Sequence, residues 1–307
     1  MHTIQTLIDN VEKVIVGKRS VVELAVVSML CRGHILLEDV PGTGKTMLAR
    51  ALARSVSADM KRIQCTPDLL PSDITGVAIY SQKSGDFEFR PGPVFTHLLL
   101  ADEINRATPR AQSALLECME EFRVSSDGTT YDLPGLFMVL ATQNPIDMAG
   151  THPLPEAQLD RFFVRLTIGY PSIDEEISIL DAQVKQHPID HLEPVVSEAA
   201  VLSAREEVKA VHLSPDVARY IVCISDATRK HPELRLGASP RATLALARGA
   251  RGLAYLRGRN FVTPDMVKAM ARPIFEHRLI LKPKAAALGR NAHDILQEIL
   301  DQVPPPV

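Results

Sequence analysis

A few short segments of the 307-residue chain carry residue types that together handle phosphate. The first is Pro41-Gly42-Thr43-Gly44-Lys45-Thr46, followed by Met47. Glycines let backbone N–H groups converge on phosphate oxygens, the lysine places a charge near the β- and γ-phosphates, and the next hydroxyl reaches Mg2+. Asp39 stands where the GxxxxGK[ST] pattern has its first glycine. That position starts the turn, so the change removes no phosphate contact. The second segment is Asp102-Glu103, at the end of Leu98-Leu99-Leu100-Ala101. Asp102 is placed to hold Mg2+. Glu103, pointing elsewhere on extended backbone, is placed as general base for an attacking water. The third is Asn144, where it can orient that water. Arg161 and Arg241 are the cationic candidates, Arg241 in a first helical turn after Ser239-Pro240. A cation there costs roughly 0.3–1 kcal/mol, so Arg241 calls for an anion, and a nucleotide phosphate would serve.

These residues need a scaffold. Apolar runs recur at 34–37, 62–64, 97–101, 137–142 and 163–168. Unbroken apolar runs suit strands buried on both faces of a parallel sheet. Between them, Leu48, Leu52 and Val56 make one helical stripe, and Ala111, Leu115, Leu116 and Met119 another. The alternation predicts a doubly wound α/β domain with the Pro41–Thr46 turn between strand and helix. Ser84-Gly85-Asp86 and Asp127-Gly128 predict β-hairpins at about 79–90 and 124–131. After Pro171 helix starts take over: Ser172 with Glu175, then Ser214-Pro215, Ser239-Pro240 and Thr263-Pro264. The reading is a nucleotide-binding core over 1–170 and an all-helical domain over 171–307.

Composition narrows the classes. With 46% hydrophobic and 23% charged residues, disorder, collagen and a disulfide scaffold are excluded. A net charge of −3 favours no wholesale nucleic-acid binding. The four cysteines form no CxxC pair and read as packed thiols in a reducing compartment. No apolar run approaches the ~20 residues of a membrane span, and the first ten residues read as no secretory signal, so the expected location is cytoplasmic. Arg248, Arg251, Arg257 and Arg259 read as a solvated face or a subunit contact.

Five further segments carry a resemblance: Leu69-Leu70-Pro71-Ser72-Asp73-Ile74-Thr75-Gly76, Asp102-Glu103-Ile104-Asn105-Arg106-Ala107, Ala141-Thr142-Gln143-Asn144-Pro145, 154–162 with Asp160-Arg161-Phe162, and Gly237-Ala238-Ser239-Pro240-Arg241. Together, in this order, they resemble the MoxR family of AAA+ ATPases from about 16 to 281. The resemblance implies a P-loop core of five parallel strands between helices, a helical lid, ATP bound between the two, and ring assembly, usually hexameric. It implies Asn144 as polar sensor, Arg241 as lid sensor and Arg161 as the arginine finger that reaches a neighbour's ATP, with Arg106 and Arg110 as rivals. Val16-Gly17 falls where relatives contact adenine; the next residue, often Gln in relatives, is Lys18 here.

The implied work is remodelling or maturation of partner protein complexes, often with a von Willebrand factor A domain protein. The alternatives are the motor of a metal chelatase-like complex and, less favoured, a nucleic-acid translocase. The 79–90 hairpin sets Lys83 and Arg90 against Asp86 and Glu88, and the 124–131 hairpin has no basic residue. A strand-tracking channel needs net positive charge, so direct nucleic-acid contact is not expected.

Overall fold

The structure, a computed structural model, describes residues 2–83, 85–126, 128–144, 151–183 and 187–306. Ser84, Asp127 and Pro145, named above, lie outside the described residues. Helices α1 (His2–Glu12) and α2 (Arg19–Leu30) precede strand β1 (Ile35–Glu38), which the nucleotide loop joins to α3 (Lys45–Ser55). Then come β2 (Met60–Gln64), α4 (Pro71–Thr75), the hairpin β3 (Gly76–Ser81) and β4 (Asp86–Pro91), β5 (Leu98–Asp102) and α5 (Pro109–Glu121). A second hairpin, β6 (Arg123–Ser126) and β7 (Thr129–Asp132), leads to β8 (Met138–Gln143), α6 (Glu156–Leu159) and β9 (Val164–Leu166). Both predicted hairpins and all five predicted core strands are present, but β2 is not the expected apolar strand buried on both faces: it is an edge strand, and Lys61, Arg62 and Gln64 are exposed.

The core strands form one parallel sheet in the order β2-β5-β8-β1-β9. Side-chain parity divides its residues cleanly. Leu37, Leu98, Leu100, Met138 and Leu140 belong to one core with α1, α2 and α3. Leu36, Leu99, Ala101, Val139 and Ala141 belong to the other, with Ala111, Leu115, Leu116 and Met119 of α5. Both predicted stripes are buried, because each covers one face of the sheet.

The C-terminal region is helical: α7 (Ile173–Gln183), α8 (Glu198–Ala210), α9 (Pro215–Lys230), α10 (Pro240–Leu256), α11 (Pro264–Phe275), α12 (Pro283–Ala287) and α13 (Ala292–Gln302). Ser172 and Glu175 form the expected capping box. Ser214 and Ser239 accept from Val217 and Ala242 N–H. Thr263 makes no side-chain cap bond. One correction is needed to the all-helical reading. Residues 234–236 and 280–281 form a short antiparallel pair, β10 (Leu234–Leu236) with β11 (Ile280–Leu281), too short to leave a period in the sequence. The helices share a continuous apolar core with the α1–α3 face of the sheet. Where α10 crosses α2, a Cβ on Gly252 would lie 2.8 Å from Cys31 Sγ and 3.0 Å from Val27 Cγ1, so any larger residue would have to push one of them aside. Cys31, Cys65 and Cys118 are buried, but Cys223 is exposed on α9, against the expectation that all four pack inside. Among the described residues, no helix is long and apolar enough to cross a membrane.

Candidate active site

The Pro41–Thr46 loop folds as its composition requires. Gly44 caps α3 at φ +90°, a left-handed conformation that L side chains rarely adopt, and a Cβ there would meet nothing within 4 Å. The space over the loop stays open for a ligand. Lys45 Nζ donates back to the carbonyls of Asp39, at 2.6 Å, and Val40, at 2.9 Å. Pro41, Gly42, Gly44, Lys45, Thr46 and Met47 line a cavity of about 360 Å³. Its far wall is Asp102, Glu103, Thr142 and Asn144. Thr43 instead bonds the Val40 carbonyl at 3.2 Å. Val16 and Gly17 are not in this wall. Gly17 lies under Glu175, whose carboxylate oxygen would sit 1.8 Å from a Cβ there, and Lys18 pairs with Glu175 at 3.4 Å.

Asp39 does more than start a turn. It is buried, and one carboxylate oxygen accepts from the N–H groups of Ile168, at 2.9 Å, and Gly169, at 2.7 Å, while the other accepts from Val40 N–H. The carboxylate ties the nucleotide loop to the chain leaving β9. Asp39→Ala leaves these buried donors without their acceptor. The expected result is a loss of at least about 1.5–3 kcal/mol, the value of a hydrogen bond to a charged group. A lowered urea midpoint at unchanged m checks it.

At the end of β5, Thr142 organises the two carboxylates. Its hydroxyl donates to Asp102 at 2.5 Å and accepts from Glu103 N–H at 2.8 Å. Asp102 also pairs with Arg62 at 2.5 Å. Glu103 does not alternate along an extended strand as expected. Its φ is +56°, so the chain turns left-handed and aims the carboxylate by a kink. There Gln64 Nε2 and Arg106 Nε, each at 3.1 Å, hold Glu103 Oε2. Arg106, a rival for the intersubunit role, is thus engaged with its own subunit's Glu103, and Arg110 is exposed. Burial, with Asp102 and Glu103 nearby, pushes the Cys65 thiol up to about 12, so it is no nucleophile. Sequence reasoning missed Arg62, Gln64 and Thr142 as site residues. Gln64 lies opposite Asp102 in the β2–β5 register, which only the strand order reveals.

The structure does not bring Arg161 or Arg241 to this cavity. Both pair with Glu120 of α5: Arg161 Nε and Arg241 Nη1 each lie 3.1 Å from one carboxylate oxygen. Gly33 and His34, just before β1, line the same cleft, whereas the nucleotide loop follows the other end of β1. The four residues of β1 span about 13 Å at ~3.3 Å per residue. The two arginines therefore lie at the opposite end of the sheet from their own subunit's loop. The anion that Arg241 calls for is supplied here by Glu120, a residue the sequence reading missed.

Residues 34–164 match the ATPase family associated with various cellular activities (AAA), and residues 226–299 match the AAA lid domain. Fold and site together define an ATPase of the AAA class with its lid. A crystal structure from Cytophaga hutchinsonii, described as that of a candidate ATPase, superposes with a TM-score of 0.92 at 39% identity, covering 100% of this chain and 96% of that one. Chaperone MoxR1 of Mycobacterium tuberculosis is 40% identical over 99% of this chain and 82% of its own. Protein MoxR of Paracoccus denitrificans is 33% identical over 88% of this chain and 86% of its own. YeaC of Bacillus subtilis is 49% identical over 98% and 94%. The chain belongs to the MoxR family of AAA+ ATPases.

Proposed function

We propose that this ATPase works as a ring, hexameric as in its class, whose subunits complete one another's sites, and that it spends ATP on remodelling or maturing partner protein complexes in the cytoplasm. The observation that carries the ring is the separation of Arg161 and Arg241 from their own nucleotide loop. If they serve a phosphate, it is a neighbouring subunit's. In this reading residues 1–170 form the core and 171–307 the lid.

Within one subunit, loop N–H groups and Lys45 hold the β- and γ-phosphates. Val16 and Gly17 serve the adenine end. Asn144 orients the attacking water and Glu103 accepts its proton. Thr46 and Asp102 face one cavity and offer a hydroxyl and a carboxylate oxygen, a donor set that suits Mg2+. When bound there, Mg2+ supplies charge neutralisation at the phosphates. The remodelling role is supported by the chaperone name of the Mycobacterium relative, and a client with a von Willebrand factor A domain partner fits the family. The three buried unpaired thiols fit a reducing compartment.

Lys45→Ala tests the phosphate loop. Among the described residues the Lys45 side chain bonds only the loop carbonyls of Asp39 and Val40, so the fold should persist. ATP affinity should fall about 10- to 150-fold, the equivalent of ~1.5–3 kcal/mol for a hydrogen bond to a charged group. Calorimetry showing near-parental affinity rejects the assignment.

A further inference from the structure

The arginines read from sequence as one face are not one face. Arg257 and Arg259 are exposed past the end of α10. Arg248 and Arg251 instead line a cavity of about 460 Å³, walled also by α2 and α8. Arg32 and Arg205 complete its cationic side. Its other charged residues, Lys209 and Glu206, pair with each other at 2.6 Å.

Among the described residues, none of the four arginines has a carboxylate within ion-pair distance. Arg32 lies 3.8 Å over the Phe122 ring. Arg205 is only 6% exposed. Its Nε and Nη1 donate to the carbonyls of Met29, at 3.0 Å, and Gly135, at 2.6 Å. Its Nη2 is buried without a partner among the described residues, and so is Arg251 Nε. Burial, then the neighbouring Arg32, lower the Arg205 pKa to about 10, against smaller opposing pulls from Cys31 and Glu198. Buried charges are ordinarily paired, and an unpaired buried donor costs free energy. Arg32 and Arg248 are exposed, but Arg205 Nη2 and Arg251 Nε are buried donors without a partner among the described residues; set among four cations, they call for an anionic acceptor.

The wall is partly apolar: Leu30, Leu202 and Val208 also line the cavity, the last two on the same helix as Arg205. The volume falls in the roughly 300–1,000 Å³ range of small-molecule sites. Guanidinium groups bind phosphate through paired, charge-assisted hydrogen bonds. No lining residue is shared with the Pro41–Thr46 cavity. We propose that this cavity is a second anion site, which takes a small molecule carrying two or more phosphate groups and an apolar moiety, as a nucleoside diphosphate does. The proposal does not rest on the ATPase reading.

The test is calorimetric titration of pyrophosphate, and then ADP, into the full chain carrying Lys45→Ala, so that the nucleotide loop contributes little. One saturable site for pyrophosphate is expected, with ADP binding more tightly because its base meets the apolar part of the wall. Adding Arg251→Ala, which removes a charge and no hydrogen bond made among the described residues, should weaken both at least about tenfold. Arg205→Lys should weaken both while keeping the charge, because the fork is lost; thermal midpoints near the parent's show that these variants fold. Absence of binding at millimolar pyrophosphate overturns the proposal, as does binding indifferent to both substitutions. If pyrophosphate does not bind and Arg251→Ala instead weakens self-association in sedimentation, the cavity is a seat for another copy's acidic side chains and the proposal is wrong.

Discussion

A chain carrying Arg161→Ala should bind ATP as the parent does and hydrolyse it about 10³- to 10⁵-fold more slowly, the range contributed by an arginine supplied to a phosphoryl-transfer site. Binding survives because Arg161 lies at the far end of the sheet from its own loop and touches Glu120. In the shared-site reading, turnover fails because the guanidinium is missing from a neighbour's site. Co-expression with Glu103→Gln separates this from a folding defect. A Glu103→Gln subunit has a dead pocket and an intact Arg161. An Arg161→Ala subunit has an intact pocket and no arginine to lend. Mixed rings of two inactive chains should regain partial activity. Arg161→Ala that remains active, or co-assembled rings with no recovery, moves the role elsewhere, with Arg110 next to test. Activity per subunit that is unchanged on dilution to monomers rejects the shared site itself.

Glu120 gives this result a finer grain. One carboxylate holds Arg161 and Arg241 side by side, so two like charges stay within reach of one anion. In the shared-site reading, a neighbour's γ-phosphate, carrying more charge than one carboxylate, would compete with Glu120 for both. The two arginines then act as a unit, and the losses from removing each should not add.

The centre of the sheet was legible because β5 and β8 are nearly continuous apolar runs, and Leu98 to Ala101 admits little else; the edge strand β2, with Lys61, Arg62 and Gln64 exposed, carries no such run. The nucleotide loop was legible because it is local: glycines, lysine and hydroxyl lie within six residues between a strand and a helix. What escaped was non-local. Gln64 reaches Glu103 only because β2 pairs with β5, and Thr142 reaches both carboxylates only because β8 lies on β5's other side. No spacing along the chain encodes that order. The Glu103 kink also defeated an argument from strand alternation, since a left-handed residue ends the alternation. Arg241 shows a partial success. Its position in a first helical turn announced an anion, but that anion, Glu120, is 121 residues away in sequence order.

Glu103→Gln should keep ATP bound and lose about 10²- to 10⁴-fold in turnover, the contribution of a positioned general base. The site predicts that the substitution changes little else. Glu103 meets Thr142 through its backbone N–H, which the variant keeps. The kink stays accessible because the side chains differ only in their terminal group. The amide oxygen still accepts from Gln64 or Arg106. What disappears is the capacity to take a proton from water. Retained activity above about a tenth of the parent's would be far from the loss expected of a general base and would place the base at another residue. If this ATPase remodels partner proteins, the expected state, with ATP bound and not hydrolysed, would hold a client in place. Affinity capture of Glu103→Gln from the native host therefore tests the remodelling role: a protein retained by this variant and released by Lys45→Ala is bound through the ATP state, whereas equal retention by both variants separates client binding from nucleotide and removes remodelling as the use of this ATPase.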